Sequence, residues 1–172
     1  MSILRRAGLA LGTTALLAGA LSIPSADAIE NHQARYRVLE FFNRHPEIRE
    51  NLDGNVTGGN PAITWPPHTG TSQHWELVSD DRGTMLKNVY KQRCLQSNGL
   101  GQTVTIEPCD PDIPTQRWNL HGSPSDLFIQ TSANPQFVLA PTAPGAEVVV
   151  EYKDRSLDER WILTSAGQLP TH

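Results

Sequence analysis

The chain reads as short apolar runs set between breakers, with no long stretch of helical periodicity. Strand-sized runs lie at Tyr36 to Phe42, Trp75 to Val78, Thr84 to Tyr90, Thr103 to Pro108, Trp118 to Leu120, Asp126 to Thr131, Glu147 to Tyr152 and Arg160 to Thr164. Val148-Val149-Val150 is β-branched throughout, which suits a pleated and largely buried strand. Tyr36 to Leu52 is the best helical candidate, but Pro46 lacks a backbone donor and clashes with the turn before it. Two strands around a turn at Asn43 to Pro46 are therefore expected there. Thirteen Pro and thirteen Gly, grouped as Pro66-Pro67, Gly58-Gly59 and Pro108 with Pro111, supply the connections. The pattern predicts an all-β protein with many tight turns.

A longer period overlies this one. Trp75, Trp118 and Trp161 are 43 residues apart twice over, in the tetrads Gln73-His74-Trp75-Glu76, Gln116-Arg117-Trp118-Asn119 and Glu159-Arg160-Trp161-Ile162. Only four tryptophans are present, so this spacing marks one unit built three times, at about 33–75, 76–118 and 119–161. Ungapped overlay of the second and third copies places Leu77 on Leu120, Leu86 on Ile129, Leu95 on Val138 and Ile106 on Val149. The first copy is offset in its first half but still carries the apolar strand Ala62-Ile63-Thr64-Trp65, ten residues before its repeat tryptophan. Three units of roughly four short strands fit a closed threefold arrangement, because closure removes exposed strand edges. Each tryptophan is expected to pack toward the common axis, with the preceding Gln amide satisfying backbone groups of a turn. An ionised Glu159 can only accept, so the third corner should be held differently.

The ends and the charge narrow the setting. Arg5-Arg6, the Ala- and Leu-rich run Leu9 to Leu21 and Ala26-Asp27-Ala28 form a secretory signal over residues 1–28, leaving a single domain at 29–172. The paired arginines leave a twin-arginine route open, although their flanks favour general secretion. The apolar run is too short for a membrane span, and a secreted, extracellular protein is expected. The net charge of −4 is unlike the basic footprint of a nucleic-acid binder. No nucleophile-plus-base motif or phosphate loop is found, no cofactor or metal is implied, and catalysis is the least supported class. In an exported chain, Cys94 and Cys109 read as a disulfide rather than half of a zinc site.

The Gln-x-Trp ends, Cys94-Leu95-Gln96 with Cys109 downstream, and the stretch from Leu52-Asp53-Gly54 through Ile63-Thr64-Trp65 to Gln73-His74-Trp75 resemble the ricin B-type β-trefoil lectin family. The resemblance covers essentially all of residues 29–172 and implies a β-trefoil with one shallow sugar site per repeat. Its pattern joins an acid after the Cys-Leu position, a ring two residues before the second Cys and a polar residue before Gln-x-Trp. The family often links the two cysteine positions. Carried over, the first repeat keeps Asp53 and Trp65, with Ser72 and Gln73 beside them and Asn60 on the intervening loop. The second has Gln96 and Glu107 at the acid and ring positions. The third has Leu139 or Ala140 and Val150, with Asp158 as a polar remnant.

The expected function is a secreted carbohydrate-binding module for galactose- or mannose-type glycans, with at most one well-preserved site, in the first repeat. Against it stands a purely structural role, with Trp65 a core aromatic and Asp53 a turn carboxylate. A third reading is a protein-interaction trefoil docking a secreted partner, similar to the accessory cell-binding subunits of cytolethal distending toxins. His68 and His74 are expected to be surface polar residues. Asn55-Val56-Thr57 matches a glycosylation sequon.

Overall fold

The computed structural model describes residues 38–166. The expected signal segment 1–28 and the start of the first repeat lie outside them. Twelve strands are present among the described residues, all in antiparallel pairs. They are β1 (Val38–Asn43), β2 (Asn51–Asp53), β3 (Ile63–Trp65), β4 (Trp75–Asp80), β5 (Gly83–Asn88), β6 (Arg93–Gln96), β7 (Thr105–Glu107), β8 (Trp118–Ser123), β9 (Asp126–Thr131), β10 (Asn134–Pro141), β11 (Val148–Tyr152) and β12 (Trp161–Ser165). Following β1 through its partners gives a closed ring: β1 pairs with β4, β4 with β5, β5 with β8, β8 with β9, β9 with β12 and β12 with β1. Three hairpins, β2–β3, β6–β7 and β10–β11, hang from β1, β5 and β9. This barrel with three hairpins is the expected β-trefoil.

Backbone hydrogen bonds close the hairpin layer around its axis. The Ala62 N–H donates to the Val104 carbonyl at 2.9 Å, Val104 to Val148 at 2.9 Å and Val148 back to Ala62 at 3.0 Å. All three residues are fully buried, so each bond meets the demand that an inward-facing amide be paired. Beneath them lie the three repeat tryptophans, also fully buried. Their indole N–H groups reach the carbonyls of Leu52, Leu95 and Leu139 at 3.0, 2.9 and 3.1 Å. A buried indole needs such an acceptor. Phe41, Leu86, Ile106 and Ile129 fill the remaining core.

Several local expectations are sharpened. The chain from Val38 to Asp53 forms β1 and β2 around a turned segment containing Pro46, not a helix. Strands β6 and β10 escape the hydropathy runs because β6 buries only Cys94 and Leu95, and β10 begins on Asn134-Pro135-Gln136, none of which is buried. The ungapped overlay is one residue out in the third unit. Leu95 pairs across its hairpin with Ile106, as Leu139 does with Val150, so the counterparts of Leu95 and Ile106 are Leu139 and Val150. The cause is a register irregularity in the β9–β10 pairing between Asn134 and Val138, where an extra residue shifts the β10–β11 hairpin by one, and the 43-residue spacing is regained by Glu159 and Trp161. Cys94 and Cys109 form a disulfide within the second unit.

Candidate functional site

Strands β2 and β3 set out the first-unit site. In this hairpin Asn51 lies opposite Trp65, Leu52 opposite Thr64 and Asp53 opposite Ile63. Alternation sends Leu52 and Thr64 into the core, while Asp53 and Trp65 face the other way. Trp65 is 49% exposed, so it is not a core aromatic. Asp53 and Trp65 line the same cleft of about 170 Å³, together with Asn55, Val56, Thr57, Ile63 and His68. A flat apolar ring beside a carboxylate matches a pyranose, which offers one C–H-rich face and many hydroxyl donors.

The carboxylate sits at the back of this cleft, only 3% exposed and already hydrogen-bonded. Its Oδ1 accepts from the Asn55 N–H at 2.7 Å, and its Oδ2 from the Ser72 hydroxyl at 2.9 Å and His68 Nε2 at 3.2 Å. The imidazole is oriented by the Gly70 N–H, which donates to Nδ1 at 2.9 Å. That acceptor role places the ring proton on Nε2, so His68 is the donor to Asp53. Close approach demands glycine at 70, where a Cβ would lie 2.8 Å from the imidazole.

Gln73 holds the turn that carries these groups. Its Nε2 donates to the carbonyls of Trp65 at 3.3 Å and Pro66 at 3.0 Å, while its Oε1 accepts from the His68 N–H at 3.0 Å and Asn51 Nδ2 at 2.9 Å. Pro66 and Pro67 have no N–H to offer, so the chain leaves β3 with carbonyls in need of a donor. Ser72 and Gln73 are both buried, which makes them supports of the cleft rather than parts of its surface. The third-unit turn supports Trp65 from the other side, with Gly145 against the ring edge and held by the buried Glu50 at 2.6 Å.

Other sequence expectations require correction. Asn60 does not line the cleft: its amide donates to Glu107 of the second unit at 3.4 Å, and its carbonyl accepts from the Ile106 N–H at 2.8 Å. Lys91 reaches the Gly59 carbonyl on that loop, and burial, with Arg93 nearby, lowers its pKa. His68 is half-exposed but bonded to Asp53, and His74 is mostly buried, 3.2 Å from the buried carboxylate of Glu40. His68 is thus the surface polar residue expected, with Asp53 as its partner, whereas His74 is not a surface residue. Asn55 of the sequon is buried, and its side-chain carbonyl accepts from Gly58 at 2.8 Å. His68 and the Asn55–Thr57 segment were absent from the sequence-derived site. The signal for them was their place in the chain, Asn55–Thr57 in the loop joining β2 to β3 and His68 just after Trp65.

The corresponding positions elsewhere are differently equipped. Gln96 accepts from Gln116 at 3.1 Å, and Glu107 stands where Trp65 stands in the first unit. With the corrected register the third unit offers Ala140 and Glu151. Burial raises the Glu151 carboxyl to about 7, with Asp158, Glu159 and Asp154 adding to the effect. Among the described residues no group of three His, Cys, Asp or Glu could hold a metal ion, and no helix is long and apolar enough to cross a membrane.

Residues 49–161 match the family model of the ricin-type β-trefoil lectin domain. No curated protein sequence matches the chain. Among solved structures, a designed threefold-symmetric protein, ThreeFoil, superposes with a TM-score of 0.64 at 18% identity, over 74% of this chain and 97% of that one. The ricin B-like lectin of Macrolepiota procera, solved with lactose, gives 0.62 at 16% identity over 74% and 94%. The Haemophilus ducreyi cytolethal distending toxin gives 0.62 at 14% identity over 90% and 93%. Likeness at such low identity establishes the shared fold, and the family match extends over most of the chain: it belongs to the ricin-type β-trefoil lectin domain family.

Proposed function

We propose that the protein is an exported, non-catalytic carbohydrate-binding module with a single working site in its first unit. The observation that carries this reading is the half-exposed Trp65 ring sharing a cleft with the Asp53 carboxylate. The ring stacks on the C–H face of a pyranose, and the polar groups beside it set orientation. The likeness to a lectin solved with lactose supports a galactose-type sugar, with mannose as the competing class. A disulfide fits an oxidising, extracellular setting. One shallow site binds on the order of millimolar, so avidity depends on a partner or on oligomers.

Retention on immobilised galactose, lactose or mannose tests the reading. Wild type is retained on at least one resin, and Trp65→Ala passes through. Equal behaviour of the two proteins on every resin removes the proposal. A second reading, a trefoil that docks a secreted protein, draws on the cytolethal distending toxin likeness, which extends over 90% of the chain. Co-purification of a defined partner that survives Trp65→Ala favours it.

A further inference from the structure

The donors around Asp53 differ in whether they can leave. Asn55 contributes a backbone N–H, and Ser72 is 2% exposed, so neither can be displaced from outside. His68 alone of these three has its side chain substantially exposed, at 38%, against 4% for that of Asp53. A carboxylate offers roughly four lone-pair sites, and three are filled within the protein. Both sites on Oδ2 are among the filled ones, so an incoming sugar hydroxyl reaches this oxygen only by replacing His68, its one exposed donor.

Resting on the reading of this cleft as a sugar site, we propose that His68 is a displaceable cover on Asp53 and sets the affinity of the site. On binding, a sugar O–H replaces the His68 Nε2–H as donor to Asp53 Oδ2, and the imidazole swings toward solvent. One charge-accepted hydrogen bond is exchanged for another of the same kind. The net gain is consequently smaller than at an uncovered carboxylate, and ligands that place a hydroxyl where Nε2 now lies are favoured over those that only stack on Trp65. His68 acts through Asp53 and is a positioning residue. Gly70 fixes the closed position because its N–H anchors Nδ1 and its missing side chain makes room for the ring.

Two substitutions uncover the carboxylate by different means. His68→Ala removes the ring. Gly70→Ala keeps it but places a Cβ 2.8 Å from it, at a backbone φ of −77° that alanine readily adopts. Titration of the full folded chain with galactose, lactose and mannose is followed by NMR, with the tryptophan indole signals reporting intact folding. Both variants should bind the preferred sugar roughly three- to tenfold more tightly, the equivalent of one competing hydrogen bond. In wild type the imidazole nitrogen signals of His68 should shift as sugar is added, reporting loss of the Asp53 bond. Trp65-dependent binding that weakens or stays unchanged in both variants, with static His68 signals, overturns the cover while leaving the sugar site in place. If no sugar binds wild type or either variant, both the cover and the underlying site are overturned. Should one variant fold poorly, the other and the wild-type His68 signals still decide.

Discussion

The first and third corners share a backbone plan and differ in what holds it. In the first, Gln73 both donates to the carbonyls of Trp65 and Pro66 and accepts from the His68 N–H. In the third, Glu159 only accepts, from the N–H groups of Asp154 at 2.6 Å and Arg155 at 2.8 Å. The first corner thus closes around carbonyls that need a donor, as after Pro66-Pro67, and the third around amides that need an acceptor. The second corner resembles the first, with Gln116 donating to the Pro108 carbonyl at 2.8 Å and accepting from the Asp110 N–H at 2.9 Å. One acid in place of one amide changes the local charge as well. Glu159 contributes to the crowding that keeps Glu151 protonated into the neutral range, whereas the neutral Gln73 leaves the first corner a cleft with one carboxylate at its back.

The harshest way to break the comparison is to remove what the corners share. Trp75→Ala and Trp161→Ala each delete a fully buried indole and its hydrogen bond to Leu52 or Leu139. Each should cost about 3–5 kcal/mol, measured by denaturant unfolding. Similar losses mark an equal scaffold; a loss confined to one corner breaks the symmetry at its centre. Replacing Cys94 and Cys109 together by Ala opens a loop with a sequence separation of 15. Stability should fall by roughly 3 kcal/mol in the chain-entropy model, while glycan retention persists because the bridge lies in another unit.

Exchange of the corner residues sharpens the comparison further. Gln73→Glu sets a carboxylate against the Trp65 and Pro66 carbonyls and should cost about 2 kcal/mol and weaken glycan retention. Glu159→Gln leaves one acceptor for two amides and should cost about 1 kcal/mol without touching retention. Loss of retention in the third-corner variant contradicts the assignment of the site to the first unit.

The smallest effect is a pH dependence. Glu151 titrates near 7 in the folded protein and near 4.5 when unfolded, so the folded state binds its proton more tightly. That contribution is fully present below the unfolded value and is lost as pH rises from about 4.5 through about 7. Since Glu151 is partly exposed, screening limits the effect to about 1 kcal/mol. Thermal melts of wild type should fall across this window relative to Glu151→Gln. Parallel curves would show that the third corner tolerates the ionised carboxylate.

Much of this was legible in the chain. The tryptophan tetrads gave the threefold plan because a buried indole and the amide before it must recur wherever the same corner is built. Breakers and β-branched runs marked most strands, since local conformational limits are written residue by residue. Asp53 and Trp65 could be picked out by the resemblance to the lectin family's site pattern. Their exposure was another matter: Trp65 lies half-exposed beside the Gly145 turn of another unit, a neighbour far away in sequence. The β9–β10 irregularity, the turning of Asn60 toward Glu107 and the placement of His68 over Asp53 likewise depend on long-range register and loop course. Periodicity and residue type thus determined the fold from the sequence itself. Which carboxylate is covered, and by what, was decided only when distant segments packed together, because hydrogen-bond partners in this cleft are set by geometry in space.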